Sequence, residues 1–176
     1  MAMPGQQFDI RILHLHWINH VDDPNDLCAH GSLAVKIGPR HINDGASWTL
    51  SAAALNLMRT LEQDYNPGNF AGQLIPHCGF FLIPDDEGNN VKISGCGYGF
   101  DWTIKHEGDL VRHTAEDGEE AIIDKQLYRL MILSFADIVQ RFYSVSAPKI
   151  LPEDEFDRKG YQAFWKEWAR LREKWK

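Results

Sequence analysis

Cysteine and histidine are the side chains of this sequence best suited to metal binding. Cys28 and His30 are separated by one residue, Cys78 follows His77, and Cys96 lies between two glycines. Thiolates and imidazoles are the usual ligands of structural zinc. We therefore take Cys28, His30, Cys78 and Cys96 as candidate metal ligands and zinc as the candidate cofactor. No C-x-x-C pair is present, so these residues would have to converge from distant segments. The alternative is that the cysteines pack as small apolar residues.

The same residues permit a second chemistry, that of a reactive thiol. Cys96 stands in a glycine-rich segment, and His30 or His77 could serve as its base. The sequence has no G-x-S-x-G motif and no paired carboxylates outside acidic helix starts, so no other catalytic group is indicated. The glycines around Cys96 precede a predicted strand rather than a helix, which argues against a phosphate-binding loop.

A third group is formed by three histidines near the N-terminus. His14 and His16 are two residues apart on a predicted strand, so their side chains face the same side. With His20 they could bind one ion. Neutral histidines are also ordinary on a strand, and no carboxylate is paired with them.

The C-terminal segment combines an aromatic face with positive charge. From Arg158 onward there are seven bases and two acids, whereas the preceding residues hold eleven bases and twenty-three acids. Helical spacing favours either self-packing on the domain or contact with a partner. One face of the predicted helix carries its large aromatic side chains, which are Tyr161, Phe164, Trp165, Trp168 and Trp175.

The elements that must position these groups can be predicted from hydrophobic periodicity. The pattern predicts an α+β fold with a largely antiparallel sheet, in the order βββ-α-ββββ-α-α. We expect an α+β domain over 1–150 and an amphipathic helix within 151–176 that packs on it. The predicted strands are 8–18, 32–37, 40–42, 79–83, 91–94, 100–106 and 109–114. The predicted helices are 51–65, 122–145 and one that follows the acidic run 153–155.

Composition narrows the class of protein further. The chain has 176 residues, 44% of them hydrophobic and 24% charged, with a net charge of −7. A negative balance disfavours nucleic acid as a partner, and no apolar run is long enough to cross a membrane. Three cysteines are too few for a disulfide framework and favour a reducing cytoplasm.

Four segments resemble an uncharacterised family of small bacterial proteins. The resemblance covers most of the chain and implies a bacterial cytoplasmic protein, without a catalytic or ligand residue to carry over. A looser likeness, in size, charge and α+β character, links the chain to small acidic immunity proteins that neutralise toxins. The segments that carry the family resemblance are 26–31, 48–55, 96–102 and 142–168.

These observations favour a binding role over catalysis. We expect the acidic surface to meet a protein partner, with complementary charge speeding encounter. A basic toxin is one such partner, and a homodimer through the last helix is another. The alternative is a zinc-binding or thiol-dependent enzyme or sensor that uses Cys28, His30, Cys78 and Cys96.

Overall fold

A computed structural model describes residues 7–42 and 45–176 of the chain. Within these residues, 32% are helical and 29% lie in strands, and the strands pair in antiparallel sheets. The predicted α+β class is confirmed. None of the helices in this described part is both long and apolar enough to cross a membrane.

The first sheet is built on strand β2 (His30–Ile37). β1 (Phe8–His16) and β3 (Arg40–Ile42) pair with it, as does the two-residue β4 (Trp48–Thr49). Among the described residues β1 pairs only with β2, so it lies at the edge of this sheet, and Leu13 on it is exposed.

Helix α1 (Leu50–Arg59) forms the centre of the core, and every residue in it is buried. It ends six residues before the predicted end at Tyr65, which instead forms a β-bridge with Ile104. The helix begins one residue before the predicted start at Ser51, which is itself buried within it. The predicted apolar face of the helix is present in α1. The helix is shorter than predicted because Tyr65 pairs with Ile104 in a β-bridge.

Two further sheets follow α1. β5 (Phe81–Pro84) and β6 (Val91–Ser94) form a hairpin, and β7 (Thr103–Glu107), β8 (Leu110–Thr114) and β9 (Glu120–Asp124) form a meander. β9 is not among the predicted strands, and its residues 122–124 lie within the predicted helix 122–145.

The boundary between β9 and the next helix is set by Asp124. Its carboxylate accepts hydrogen bonds from the backbone N–H groups of Gln126 and Leu127, which makes it the N-cap of α2 (Lys125–Ser144). The residues before this cap pair with β8, since their backbone groups are free for a ladder.

α2 buries only one of its two apolar rows. Tyr128, Ile132, Phe135 and Val139 face the core, whereas the other row lies at the surface. The helix is therefore buried on one side, and its other apolar row is uncovered in the described part of the chain. The exposed row comprises Leu127, Leu130, Ile138 and Val145.

The last helix, α3 (Glu155–Trp175), packs on β5, β6, α1 and α2. Tyr161, Phe164 and Trp168 are buried, and Trp165 and Trp175 are half-buried against the same core. Gly160 permits this docking, because a β-carbon there would lie 2.1 Å from the carbonyl oxygen of Leu82. The aromatic face thus completes the core of the domain.

Candidate thiol–imidazole site

Three of the predicted chemical groups meet at one point on the surface. The Sγ atoms of Cys78 and Cys96 are 3.0 Å apart, and Nδ1 of His77 lies 3.2 Å from the first and 3.4 Å from the second. His77 is exposed and the two cysteines are partly exposed. Of the described residues, only this group brings three histidine, cysteine or carboxylate ligand atoms within 4.8 Å of one another.

The β5–β6 hairpin brings the two thiols together. Phe81 is paired with Ser94 at its open end, so the residues just before β5 and just after β6 are neighbours. Cys78 precedes the first strand by three residues and Cys96 follows the second by two. Because antiparallel strands return to their starting point, cysteines that flank a hairpin converge although eighteen positions separate them.

Glycine makes the close approach of the two segments possible. A β-carbon at Gly95 would lie 1.5 Å from the carbonyl oxygen of Cys78, and one at Gly99 would lie 2.3 Å from that of Ile75. Neither position has room for a side chain, since real β-carbons do not approach an oxygen so closely. Ile75 and Phe100 then form a β-bridge that continues the contact.

Thr49 and Gln73 fix the two segments in place. The Thr49 hydroxyl donates to the carbonyl oxygen of His77 at 2.9 Å and accepts from the N–H of Gly79 at 3.0 Å. The Gln73 side chain donates to the Gly99 carbonyl at 2.8 Å and accepts from the Gly99 N–H at 2.6 Å. Because these bonds hold both backbones, the thiols do not depend on their own contact to stay adjacent.

The two thiols differ in acidity. Their mutual hydrogen bond, helped by the backbone N–H of Tyr98, lowers the pKa of Cys96 to about 7. The same hydrogen bond raises the pKa of Cys78. Cys96 is therefore the more acidic of the two thiols, and thiolate forms there first as the pH rises.

The donor set suits a soft divalent ion. Zn–S bonds of about 2.3 Å in a tetrahedral shell place two thiolates roughly 3.7 Å apart, so the sulfur atoms must separate by about 0.7 Å to accept zinc. Partly exposed side chains on loops can make such a shift. With three protein ligands, the fourth position would be left for water or another ligand, as in catalytic rather than structural zinc sites.

The structure does not bring Cys28 and His30 into this group. Cys28 is buried, and burial raises its pKa to about 12, with Asp26 adding to the shift. His30 lines a separate cleft together with Cys28, and desolvation lowers its pKa. Cys28 therefore packs as a small apolar residue, and the group contains His77 instead of the predicted ligands Cys28 and His30.

The N-terminal histidines also come together, but in another way. The ring of His16 lies 5.6 Å from that of His14 and 4.6 Å from that of His20, between ring centroids. Asn19 and His20 both have positive φ, which turns the chain back onto β1. Both ring nitrogens of His16 are already in hydrogen bonds, to the Trp17 carbonyl and the Ser47 hydroxyl. The rings of His14 and His16 stack and His20 is tilted against them, and within the described residues these three do not form a group with all ligand atoms within 4.8 Å of one another.

Comparison of the chain with protein-family models, with curated proteins and with solved structures gives no match.

Proposed function

We propose that the protein binds zinc through His77, Cys78 and Cys96 and leaves the fourth coordination position open. The observation that carries this proposal is the approach of the three ligand atoms to within 4.8 Å of one another at the surface. Two thiolates and one neutral imidazole balance the charge of Zn²⁺, so the bound centre would be neutral. An open position on zinc can bind a substrate or acidify a water molecule.

Titration of the metal-free, reduced protein with Zn²⁺, or with Co²⁺ as a coloured substitute, tests this proposal. We expect one equivalent to bind and a sulfur-to-cobalt charge-transfer band to appear. Cys78→Ser or Cys96→Ser should lower the affinity by more than about a hundredfold, since loss of a ligand costs more than loss of its outer partners.

Cys28→Ala is the matched control because Cys28 is buried outside the site. It should leave stoichiometry and affinity unchanged. Failure to bind one equivalent, or an equal loss of affinity in Cys28→Ala, would contradict the zinc site.

A second candidate function is recognition of a basic protein partner through the acidic surface. The observation that favours it is the exposure of two large aromatic side chains near the thiol–imidazole site. Phe80 is 66% exposed and Tyr98 is 79% exposed, and the ring of Tyr98 lies 6.4 Å from that of His77. Exposed aromatic residues are enriched among those that dominate binding energy in interfaces.

The partner-binding proposal is tested with purified proteins. A partner isolated from cells must rebind the purified chain at a defined stoichiometry. Its affinity should fall steeply between low and high salt if charge complementarity steers the encounter. Salt-independent binding would contradict the electrostatic part of the proposal.

A further inference from the structure

A cleft of about 400 Å³ opens between the 18–28 segment, strand β5 and the start of α3. This volume lies within the range of small-ligand sites. Its walls are largely apolar and aromatic, with a few polar groups. The residues that bear on its chemistry are Asp26, His30, Phe80, Phe81, Asp157 and Tyr161.

Both formal charges in the wall of the cleft are negative. The Asp26 carboxylate accepts hydrogen bonds from the backbone N–H of Ile18 at 2.7 Å and of Cys28 at 3.2 Å, which fixes it in place. The carboxylate of Asp157 has no hydrogen bond or ion pair with any residue of 7–42 and 45–176. No lysine or arginine lines this cleft in the same part of the chain.

In the described part of the chain, none of the bases Lys149, Arg158 and Lys159 forms an ion pair with Asp157. Lys149 pairs with Asp22, and its ammonium lies 3.4 Å from the centre of the Trp17 ring. The guanidinium of Arg158 donates to the carbonyls of Pro152 and Glu153. Lys159 pairs with Glu155.

The remaining features of the wall fit a cation with an apolar stem. Burial lowers the pKa of His30, which favours the uncharged form of its ring. Phe80 and Phe81 present exposed ring surface at the cleft. A guanidinium stacks on aromatic faces and pairs with carboxylates, whereas its alkyl stem gains from apolar walls.

We propose that this cleft receives an arginine side chain of a basic partner protein, with Asp157 as its ion-pair acceptor and Phe80 as its stacking surface. The proposal rests on the partner-binding function and is independent of the zinc site. The negative balance of residues 1–157, which hold twenty-three acids and eleven bases, favours a basic partner over an acidic one.

The test uses a short synthetic peptide that contains one central arginine, and a second peptide in which citrulline replaces it. Citrulline has nearly the same shape without the charge. In two-dimensional amide NMR spectra of the full chain, the arginine peptide should shift the signals of Phe80, Phe81 and Asp157. The citrulline peptide should bind about tenfold more weakly, the loss expected for one charge-assisted hydrogen bond.

Asp157→Asn should weaken the arginine peptide by about the same factor. Glu153→Gln is the matched control, since it removes one negative charge from the same surface without lining the cleft. It should change affinity less than about twofold at moderate salt. Phe80→Ala should also weaken binding of the arginine peptide. Because Phe80 is exposed, this substitution should not disturb the fold, so a loss of affinity reports the lost contact.

Three results with the peptides would overturn the inference. These are an absence of shifts at the cleft, equal binding of both peptides, and equal losses in Asp157→Asn and Glu153→Gln. Methylguanidinium that bound as tightly as the peptide would assign the cleft to a small cation and overturn the partner assignment. If a purified partner binds Asp157→Asn normally, the cleft proposal fails while partner binding through another surface stands.

Discussion

The α-carbon of Gly95 lies so close to the carbonyl oxygen of Cys78 that a β-carbon on it would be 1.5 Å from that oxygen. The contact joins the two segments that carry the thiols. The candidate site therefore depends on Gly95, a residue that has no side chain to take part in the chemistry.

Gly95→Ala is expected to separate these segments. The clash must be relieved by backbone movement, which should cost about 2 kcal/mol of unfolding free energy or more. The affinity for Zn²⁺ should fall with it. Urea unfolding and metal titration measure the two effects.

Gly97→Ala is the matched control for this change, because a β-carbon at Gly97 would meet nothing within 4 Å. Both measurements should stay near wild type in that variant. Equal effects at Gly95 and Gly97 would mean that general loop stiffness, and not close approach, holds the site.

Cys96 should be the first thiol of the metal-free protein to be alkylated. Its pKa is lowered to about 7, so the thiolate fraction and the iodoacetamide rate rise as the pH increases through 7. The pKa of Cys28 is raised to about 12, so Cys28 should stay unmodified across this range. Peptide mass mapping over a pH series measures each rate. Preferential labelling of Cys28 would contradict the assignment.

Glu167→Gln should be among the most destabilising single changes. Glu167 accepts from Nε of Arg59 at 2.6 Å and from the backbone N–H of Val91 at 2.9 Å, and both charged side chains are buried. The variant leaves Arg59 without its counter-charge, which should lower the unfolding free energy by about 3 kcal/mol.

Glu62→Gln is the control for that change. Glu62 pairs with Arg170 and Lys174, both of which are substantially exposed, so its loss should cost less than about 1 kcal/mol. Tryptophan fluorescence in urea reports both values. Similar losses in the two variants would show that α3 is not held by the buried pair.

His113 should make the fold sensitive to acid. It is fully buried, its Nδ1 accepts from the Trp102 indole N–H at 2.9 Å, and desolvation lowers its pKa to about 3. The unfolded chain takes up this proton near pH 6.5, whereas the folded chain resists it to about pH 3. The stability is therefore complete above pH 6.5 and declines as pH falls towards 3.

The expected slope from His113 alone is about 1 kcal/mol per pH unit within that window. His113→Phe should flatten the curve by this amount, although its stability at pH 7 will drop because the Trp102 bond is lost. Urea unfolding between pH 4 and pH 7 measures the difference in slope. Parallel curves for the two proteins would exclude His113 as the source.

The sequence by itself determined the class of fold and most of its elements. Period-two alternation located the strands near Val91 and Thr103, and helical spacing located the three helices, because side-chain burial follows local backbone geometry. Boundaries were less accessible. Tyr65 forms a β-bridge with Ile104, which lies far along the chain, and no local pattern encodes that pairing. Residues 120–124 pair with the adjacent strand β8, and the apolar residues 122–123 run on into the helix, which hid the boundary between the two elements.

The candidate site depended on tertiary structure in a similar way. Cysteine and histidine types pointed to metal chemistry, but pairing Cys28 with His30 followed proximity in sequence, and the fold separates Cys28 from the other thiols. The predicted hairpin could have identified the correct pair of cysteines, since Cys78 and Cys96 flank its two strands. Only the packing of Gly95 against Cys78 decided that these thiols touch, because side-chain chemistry is local whereas contact is set by how the chain returns on itself.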